Sequence, residues 1–269
     1  MSKFSNTLKI SRSGLKLYLD CPRCFWLDVH HKVKRPSGYP FTLSIAVDYL
    51  VKKEFDTYRE KGTLPPVLKK YFEKDPVQSL SADRQQSRGR ASDGASAKLY
   101  AGDELSEWRN NFKGIAYFDE DLNAILYGAV DDVLEFKDKS LGVIDYKSSG
   151  AKEITIYDDY QKQMDVYNYI LRQKGFDTYP EAFFVFYKVI KEGETGFANA
   201  LKFTEEVRAV KVNMDWVGPT FEKAVEVARS ETSPAPGMTG NPPAGGGHCD
   251  HCHYVELANQ HQITPDLNI

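Results

Sequence analysis

Ala124-Ile125-Leu126-Tyr127-Gly128-Ala129-Val130-Asp131-Asp132-Val133-Leu134-Glu135-Phe136, then Lys137-Asp138-Lys139-Ser140, then Leu141-Gly142-Val143-Ile144-Asp145-Tyr146-Lys147 is the stretch on which the fold turns. Its first part reads as a strand bent near Gly128, its middle as turn chemistry, and its last part as the return strand of a hairpin. Strand side chains alternate faces, so Asp145 and Lys147 project from the same side. Asp131, on the first strand, sits across the hairpin from them if the register permits. Two carboxylates converging at the end of an apolar strand repel each other and are costly to desolvate unless a cation joins them. A hard divalent ion suits them: Mg²⁺ keeps several waters and takes one or two carboxylates plus a substrate phosphate. Such an ion generates hydroxide near neutral pH, and a neighbouring lysine orients that water or offsets developing charge. The plainer reading is an exposed cross-strand charge pair contributing only about 0.2–1 kcal/mol.

Outward from the hairpin, Asp158 to Lys174 reads as a helix ended by Gly175, with Gln163 and Tyr167 four apart on one face. Ala182 to Val189 is almost wholly apolar and aromatic, the pattern of a buried strand. Residues 204–230 read as helical, with a break at Gly218-Pro219. Upstream, Ser11 or Ser13 can cap a helix that stops near Cys21-Pro22, and Phe41 to Lys61 forms a second helix ended by Gly62. Ser79 to Lys98 is polar and reads as a loop; its Arg84, Arg88 and Arg90 can instead touch phosphates. Residues 231–247 hold four prolines and five glycines and read as a linker. Strands flanked by helices predict an α/β fold.

The chain has 269 residues, enough for one large or two small domains and for a core that needs no staples. Its formal net charge of −3 argues against non-specific coating of nucleic acid, though not against a local basic groove. No apolar run approaches the ~20 residues that span a bilayer, and the N-terminus lacks a signal-like apolar segment. A cytoplasmic protein without a membrane partner is expected. In such a chain the four cysteines, Cys21-Pro22-Arg23-Cys24 and Cys249-Asp250-His251-Cys252, read as thiolates around one metal centre rather than as disulfides. With 224 residues between Cys24 and Cys249, that centre closes the chain on itself. His248, His251 and His253 crowd the second pair and can substitute for a thiolate.

Gly128-x-x-Asp131, Val143-Ile144-Asp145-Tyr146-Lys147 and Gln163-x-x-x-Tyr167, in this order and spacing, resemble the PD-(D/E)xK nuclease superfamily. They are most similar to its RecB-like branch, which includes the CRISPR-associated RecB-like exonucleases. Ser11-x-Ser13 with Cys21-Pro22-Arg23-Cys24-Phe25-Trp26-Leu27 resembles that branch's opening segment. The resemblance covers residues 8–190 and the terminal cysteines. It implies a restriction-endonuclease-like core with a mixed central sheet flanked by helices, spanning residues 1–230. The linker at 231–247 then delivers a C-terminal segment, 248–269, to Cys21 and Cys24.

The resemblance further implies a Mg²⁺- or Mn²⁺-dependent phosphodiesterase acting on DNA, exonuclease-like on single-stranded or end-bearing substrates, alongside other DNA-processing proteins. Asp131, Asp145 and the Tyr146 carbonyl would hold the ion, Lys147 would be the catalytic lysine, and Gln163 and Tyr167 would face DNA or support the site. The branch often has a histidine ligand on an early helix. His30 and His31 lie too close to the cysteine pair for that role, which leaves Asp48, with Glu54 second. The branch also ties its cysteines through a 4Fe-4S cluster, usually with one cysteine early and three late. The two-and-two pattern here departs from that and also fits tetrahedral Zn²⁺. A rival reading is a cysteine-stapled nucleic-acid- or partner-binding module with a silent nuclease core, which Lys32, Lys34 and Arg35 would also suit; RNA as substrate is a third.

Overall fold

In the computed structural model the elements run β1 (Leu8–Ser11), α1 (Arg12–Asp20), α2 (Pro22–His31), α3 (Thr42–Glu60), α4 (Pro66–Glu73), β2 (Ala97–Leu99), α5 (Leu105–Trp108), β3 (Ile115–Asp119), β4 (Ala124–Gly128), β5 (Asp132–Phe136), β6 (Leu141–Ser149), α6 (Asp158–Gln173), β7 (Glu181–Val189), β8 (Phe203–Lys211) and α7 (Val217–Arg229). The structure describes residues 7–36, 38, 41–73, 97–191, 199–231 and 249–254. Arg84, Arg88, Arg90, His248 and nearly all of the expected linker lie outside them. Of the stretch read as a polar loop, the described Ala97 and Lys98 belong to β2. Among the described residues no helix is long and apolar enough to cross a membrane.

The chain divides into two units. One comprises Met1–Tyr39, Phe118–Leu126 and Trp216–Ile269; the other comprises Pro40–Tyr117 and Tyr127–Asp215. The second unit carries a mixed five-stranded sheet in the order β2-β5-β6-β7-β8. β5 and β6 are the expected antiparallel hairpin, pairing Asp132 with Ile144 and Val133 with Val143. β6 and β7 are parallel, pairing Asp145 with Phe184 and Lys147 with Phe186. Parallel neighbours need a crossover, and α6 supplies it. Alternation sorts the side chains. Ile144, Tyr146, Phe183, Val185 and Tyr187 pack in one cluster with Val51 and Phe55 of α3 and Leu68 of α4. Asp145 and Lys147, one residue out of phase, occupy the opposite face, where α6 packs on β6.

Two expectations are corrected. The stretch 124–136 is not one bent strand but two strands, β4 and β5, in different sheets. The break has a backbone cause. The N–H of Val130 bonds the Trp108 carbonyl at 3.1 Å and Arg109 Nε donates to the Asp131 carbonyl at 2.9 Å, so these groups are satisfied off the ladder. Gly114, at φ 64°, also lies so close to the Gly128 carbonyl that a Cβ would meet it at 2.2 Å.

The second correction concerns residues 204–230, which are not helical throughout: β8 pairs antiparallel with β7 from Glu181–Lys211 to Val189–Phe203. Phe203, Val207 and Ala209 face the core while Thr204, Glu206 and Arg208 do not, a period of two that the Val207/Val210 spacing disguised. Gly218 and Pro219 fall within the first turn of α7, where a missing N–H costs nothing, so they open that helix instead of breaking one.

In the first unit Ser11, not Ser13, caps α1: its Oγ accepts the Gly14 N–H at 2.9 Å. Cys21, extended at φ −167°, ends α1 and begins α2, whose first residue is Pro22. The Trp26 indole stacks on His30 at 4.5 Å between ring centroids and donates from Nε1 to the Ser230 carbonyl at 2.7 Å.

Candidate active site

β6 delivers Asp145 to the second unit's interior, where it is only 2% exposed. An amide and an ammonium are among the groups that hold its carboxylate. Gln163 Nε2, from α6, donates to Oδ1 at 2.7 Å, and the Lys147 ammonium makes an ion pair with Oδ2. Tyr167, one turn along α6, accepts from the same Gln163 amide at 3.3 Å. The Lys147 ammonium also lies over the Tyr160 ring, 4.8 Å from its centroid, and 6.0 Å from that of Phe184.

Asp131 sits in the bend just before β5, one residue earlier than the strand itself. Its Oδ2 accepts the backbone N–H of Tyr146 at 3.0 Å, the residue between Asp145 and Lys147. That bond brings Asp131, Asp145 and Lys147 to one end of the hairpin. The third carboxyl comes from α3, where Asp48 and Lys52 lie one turn apart. The Lys52 ammonium bridges Asp48 Oδ2 and Asp131 Oδ1, 2.8 Å from each. Burial, followed by the charge of Asp131, raises the Asp48 pKa above the ordinary aspartate value, and Lys52 pulls it back. Burial works against the Lys52 ammonium, yet the charge of Asp131 and its bonds to both carboxylates leave its pKa raised. Glu54 does not join this group: it is exposed, and its charge acts on Tyr187 and Glu205.

Sequence reasoning missed the support beneath these residues. Asp132 is fully buried, and its carboxylate is clamped by Arg59 Nη2 at 2.7 and 2.8 Å, Arg109 Nη2 at 2.6 Å and the Tyr146 hydroxyl at 2.8 Å. Arg109 also reaches Asp56 at 2.7 Å. Burial, with the Asp132 charge and hydrogen bond, holds the Tyr146 hydroxyl well above the usual phenol pKa, so it donates throughout the physiological range. One signal could have found this layer. Asp48, Lys52, Asp56 and Arg59 recur at helical spacing, a charged stripe on a helix whose other faces carry apolar residues.

Counting Asp48, Asp131 and Asp145 against Lys52 and Lys147 leaves one net negative charge. The donors are all oxygens, which suits a hard divalent ion. The Lys52 ammonium already does a cation's work between two of them, so an ion held by Asp48 and Asp131 would compete with it.

The first unit gathers all four cysteines, buried and free of disulfides. Their sulfurs lie within 4.8 Å of one another, with Cys24–Cys252 at 3.5 Å, Cys24–Cys249 at 3.7 Å and Cys21–Cys252 at 3.8 Å. Arg35 Nη2 donates to Cys249 Sγ at 3.1 Å. A hydrogen bond to Cys21, then burial, pushes the Cys24 thiol up, and burial pushes Cys252 up to about 12. Ionised thiolates therefore need a cation among them. His251 and His253 are not among the grouped ligand atoms, and His253 is exposed.

No curated protein matches the chain. The family model of the PD-(D/E)XK nuclease superfamily does, over residues 9–257, and so takes in the α3 carboxylate, the Asp131–Tyr146 junction, α6 and both cysteine pairs. With nearly its whole length inside that match, the chain belongs to the PD-(D/E)XK nuclease superfamily.

Proposed function

We propose that the chain is a Mg²⁺- or Mn²⁺-dependent DNA nuclease of the RecB-like branch. The observation that carries this reading is the 3.0 Å bond from the Tyr146 N–H to Asp131, which joins one carboxylate to the strand bearing the other and the lysine. Asp131, Asp145 and the Tyr146 carbonyl hold the ion, and Asp48 takes the place of the branch's early-helix histidine. When bound, the ion polarises the phosphate and supplies hydroxide near neutral pH. Lys147 orients the attacking water and offsets charge on the phosphate oxygens. The water oxygen bonds phosphorus, the bond to the leaving oxygen breaks, and that oxygen takes up a proton. Gln163 keeps Asp145 aimed, and Tyr167, buried beside it, accepts from the same amide, so the pair support the site from within and do not face DNA. Residues 1–230 form the nuclease core, and 231–247 tether the cysteine segment 248–269. Single-stranded or end-bearing DNA is the substrate class, handled in the cytoplasm with other proteins of repair, recombination or CRISPR-type processing.

The test is cleavage of labelled single- and double-stranded DNA with blocked and free ends, with and without Mg²⁺, beside Lys147→Ala. Metal-dependent cutting by the wild type alone supports the reading. DNA binding with no cutting under any metal overturns it in favour of a silent core that only binds. A second expectation concerns Lys52. Lys52→Met removes the ammonium that competes for Asp48 and Asp131, and charge-assisted bonds contribute about 1.5–3 kcal/mol, so Mn²⁺ affinity rises about tenfold or more. Electron paramagnetic resonance titration of Mn²⁺ reads this directly; weaker binding would mean that Lys52 positions the carboxylates instead of competing for them.

A further inference from the structure

The sulfur separations bear on which metal the cysteines hold, and they do not fit the cluster that the RecB-like resemblance implies. On the outer corners of a four-iron cube, thiolate sulfurs stand roughly 6 Å apart. Here every pair lies within 4.8 Å, and the bonded approaches run from 3.5 to 3.8 Å. A single ion about 2.3 Å from each of four tetrahedral sulfurs sets them about 3.8 Å apart. The backbone supports the tight spacing. Each cysteine pair spans one helical turn: Cys21 opens α2 and Cys24 lies within it, while residues 250–254 are helical behind Cys249.

We infer that Cys21, Cys24, Cys249 and Cys252 form a closed, tetrahedral, single-ion zinc site, with no iron–sulfur cluster. Four thiolates around Zn²⁺ carry two net negative charges in a buried place, and the structure supplies a counter-charge. Arg35 is the positive group beside them, donating to Cys249 Sγ at 3.1 Å while Asp20 Oδ2, at 3.4 Å from its other Nη, anchors it. Such hydrogen bonds to ligating atoms fix their orientation and are worth about 10–100-fold in metal affinity. The site has no ligand position left for water or substrate. Its role is to join the two segments that carry the cysteine pairs, and because Zn²⁺ has no redox chemistry, that join is insensitive to electron transfer.

The experiment needs no cleavage readout, so its outcome is separate from that of the nuclease reading. The full chain is purified without oxygen from cells supplied with both iron and zinc, then assayed for metals and acid-labile sulfide. One zinc per chain, no sulfide and no visible absorption are expected. Exchange with Co²⁺ should then give the intense d–d bands of a tetrahedral four-thiolate ion. Arg35→Ala, which keeps all four ligands, should still bind zinc but lose it to a chelator at about 10–100-fold lower chelator concentration. Four irons with sulfide, one iron without sulfide, or a metal-free chain would each overturn the assignment.

Discussion

Replacing Lys147 by alanine should lower metal-dependent cleavage about 10²–10⁴-fold, the range for losing one group that moves a proton or one that stabilises developing charge. The side chain is placed for that work by three things. β6 projects it on the same face as Asp145, Asp145 Oδ2 pairs with it, and the Tyr160 ring lies 4.8 Å below its ammonium. Removing it takes away the ammonium paired with the nearly buried Asp145 carboxylate, an imbalance that a divalent ion corrects. The metal-free variant should therefore melt lower than the wild type, and Mg²⁺ should raise its melting temperature by more than it raises the wild type's. Lys147→Arg keeps the charge but changes the donor geometry, so it should recover the stability of the metal-free state without recovering the rate. Steady-state cleavage and thermal unfolding with and without Mg²⁺ check both halves. Wild-type rates in Lys147→Ala would remove this lysine from the chemistry.

How far these residues can be read from sequence depends on whether their signal is local. The hairpin was legible because Val133, Val143 and Ile144 flank a turn of Lys137-Asp138-Lys139-Ser140, and the structure closes it with Lys139 in the left-handed region at φ 68°. The buried β7 was legible from its unbroken apolar run. β8 was not: as the edge strand it buries only one face, and its Glu205-Glu206 pair and Val207/Val210 spacing imitate a helix. The cysteine pairs were legible as pairs, since two C-x-x-C motifs in one chain have few other uses, and their gathering in one group bears that out. Asp48 stood out only by resemblance; its bridge to Asp131 through Lys52 depends on how α3 lies over the hairpin, which no local pattern encodes. The Arg59–Asp132–Arg109 clamp was illegible for the same reason, because its members come from three elements far apart in sequence and meet only when packed.

That clamp carries the largest stability effect. Asp132→Ala should destabilise the protein by about 3–5 kcal/mol, the cost of removing one partner from a buried ion cluster. Two guanidinium groups, 11% and 14% exposed, would lose the carboxylate between them, retaining Asp56 as their remaining carboxylate partner, itself nearly half exposed. The Tyr146 hydroxyl would lose its acceptor in the core. At roughly 2–4 °C per kcal/mol for a chain of this size, the melting temperature should fall by about 10 °C. The effect should also reach the candidate site without any direct contact. Arg109 Nε holds the Asp131 carbonyl at 2.9 Å, and the Tyr146 N–H holds the Asp131 carboxylate, so loosening Arg109 and Tyr146 frees Asp131 at both ends. Tyr146→Phe separates the two consequences: it removes one hydrogen bond, leaves the charges paired, and should cost only about 0.5–3 kcal/mol. In urea titrations Asp132→Ala should therefore lose more stability than Tyr146→Phe, and Mn²⁺ affinity should fall more in Asp132→Ala than in Tyr146→Phe. Equal losses from both would mean that the charges contribute nothing beyond the phenol's hydrogen bond, and that the clamp does not hold Asp131 in place.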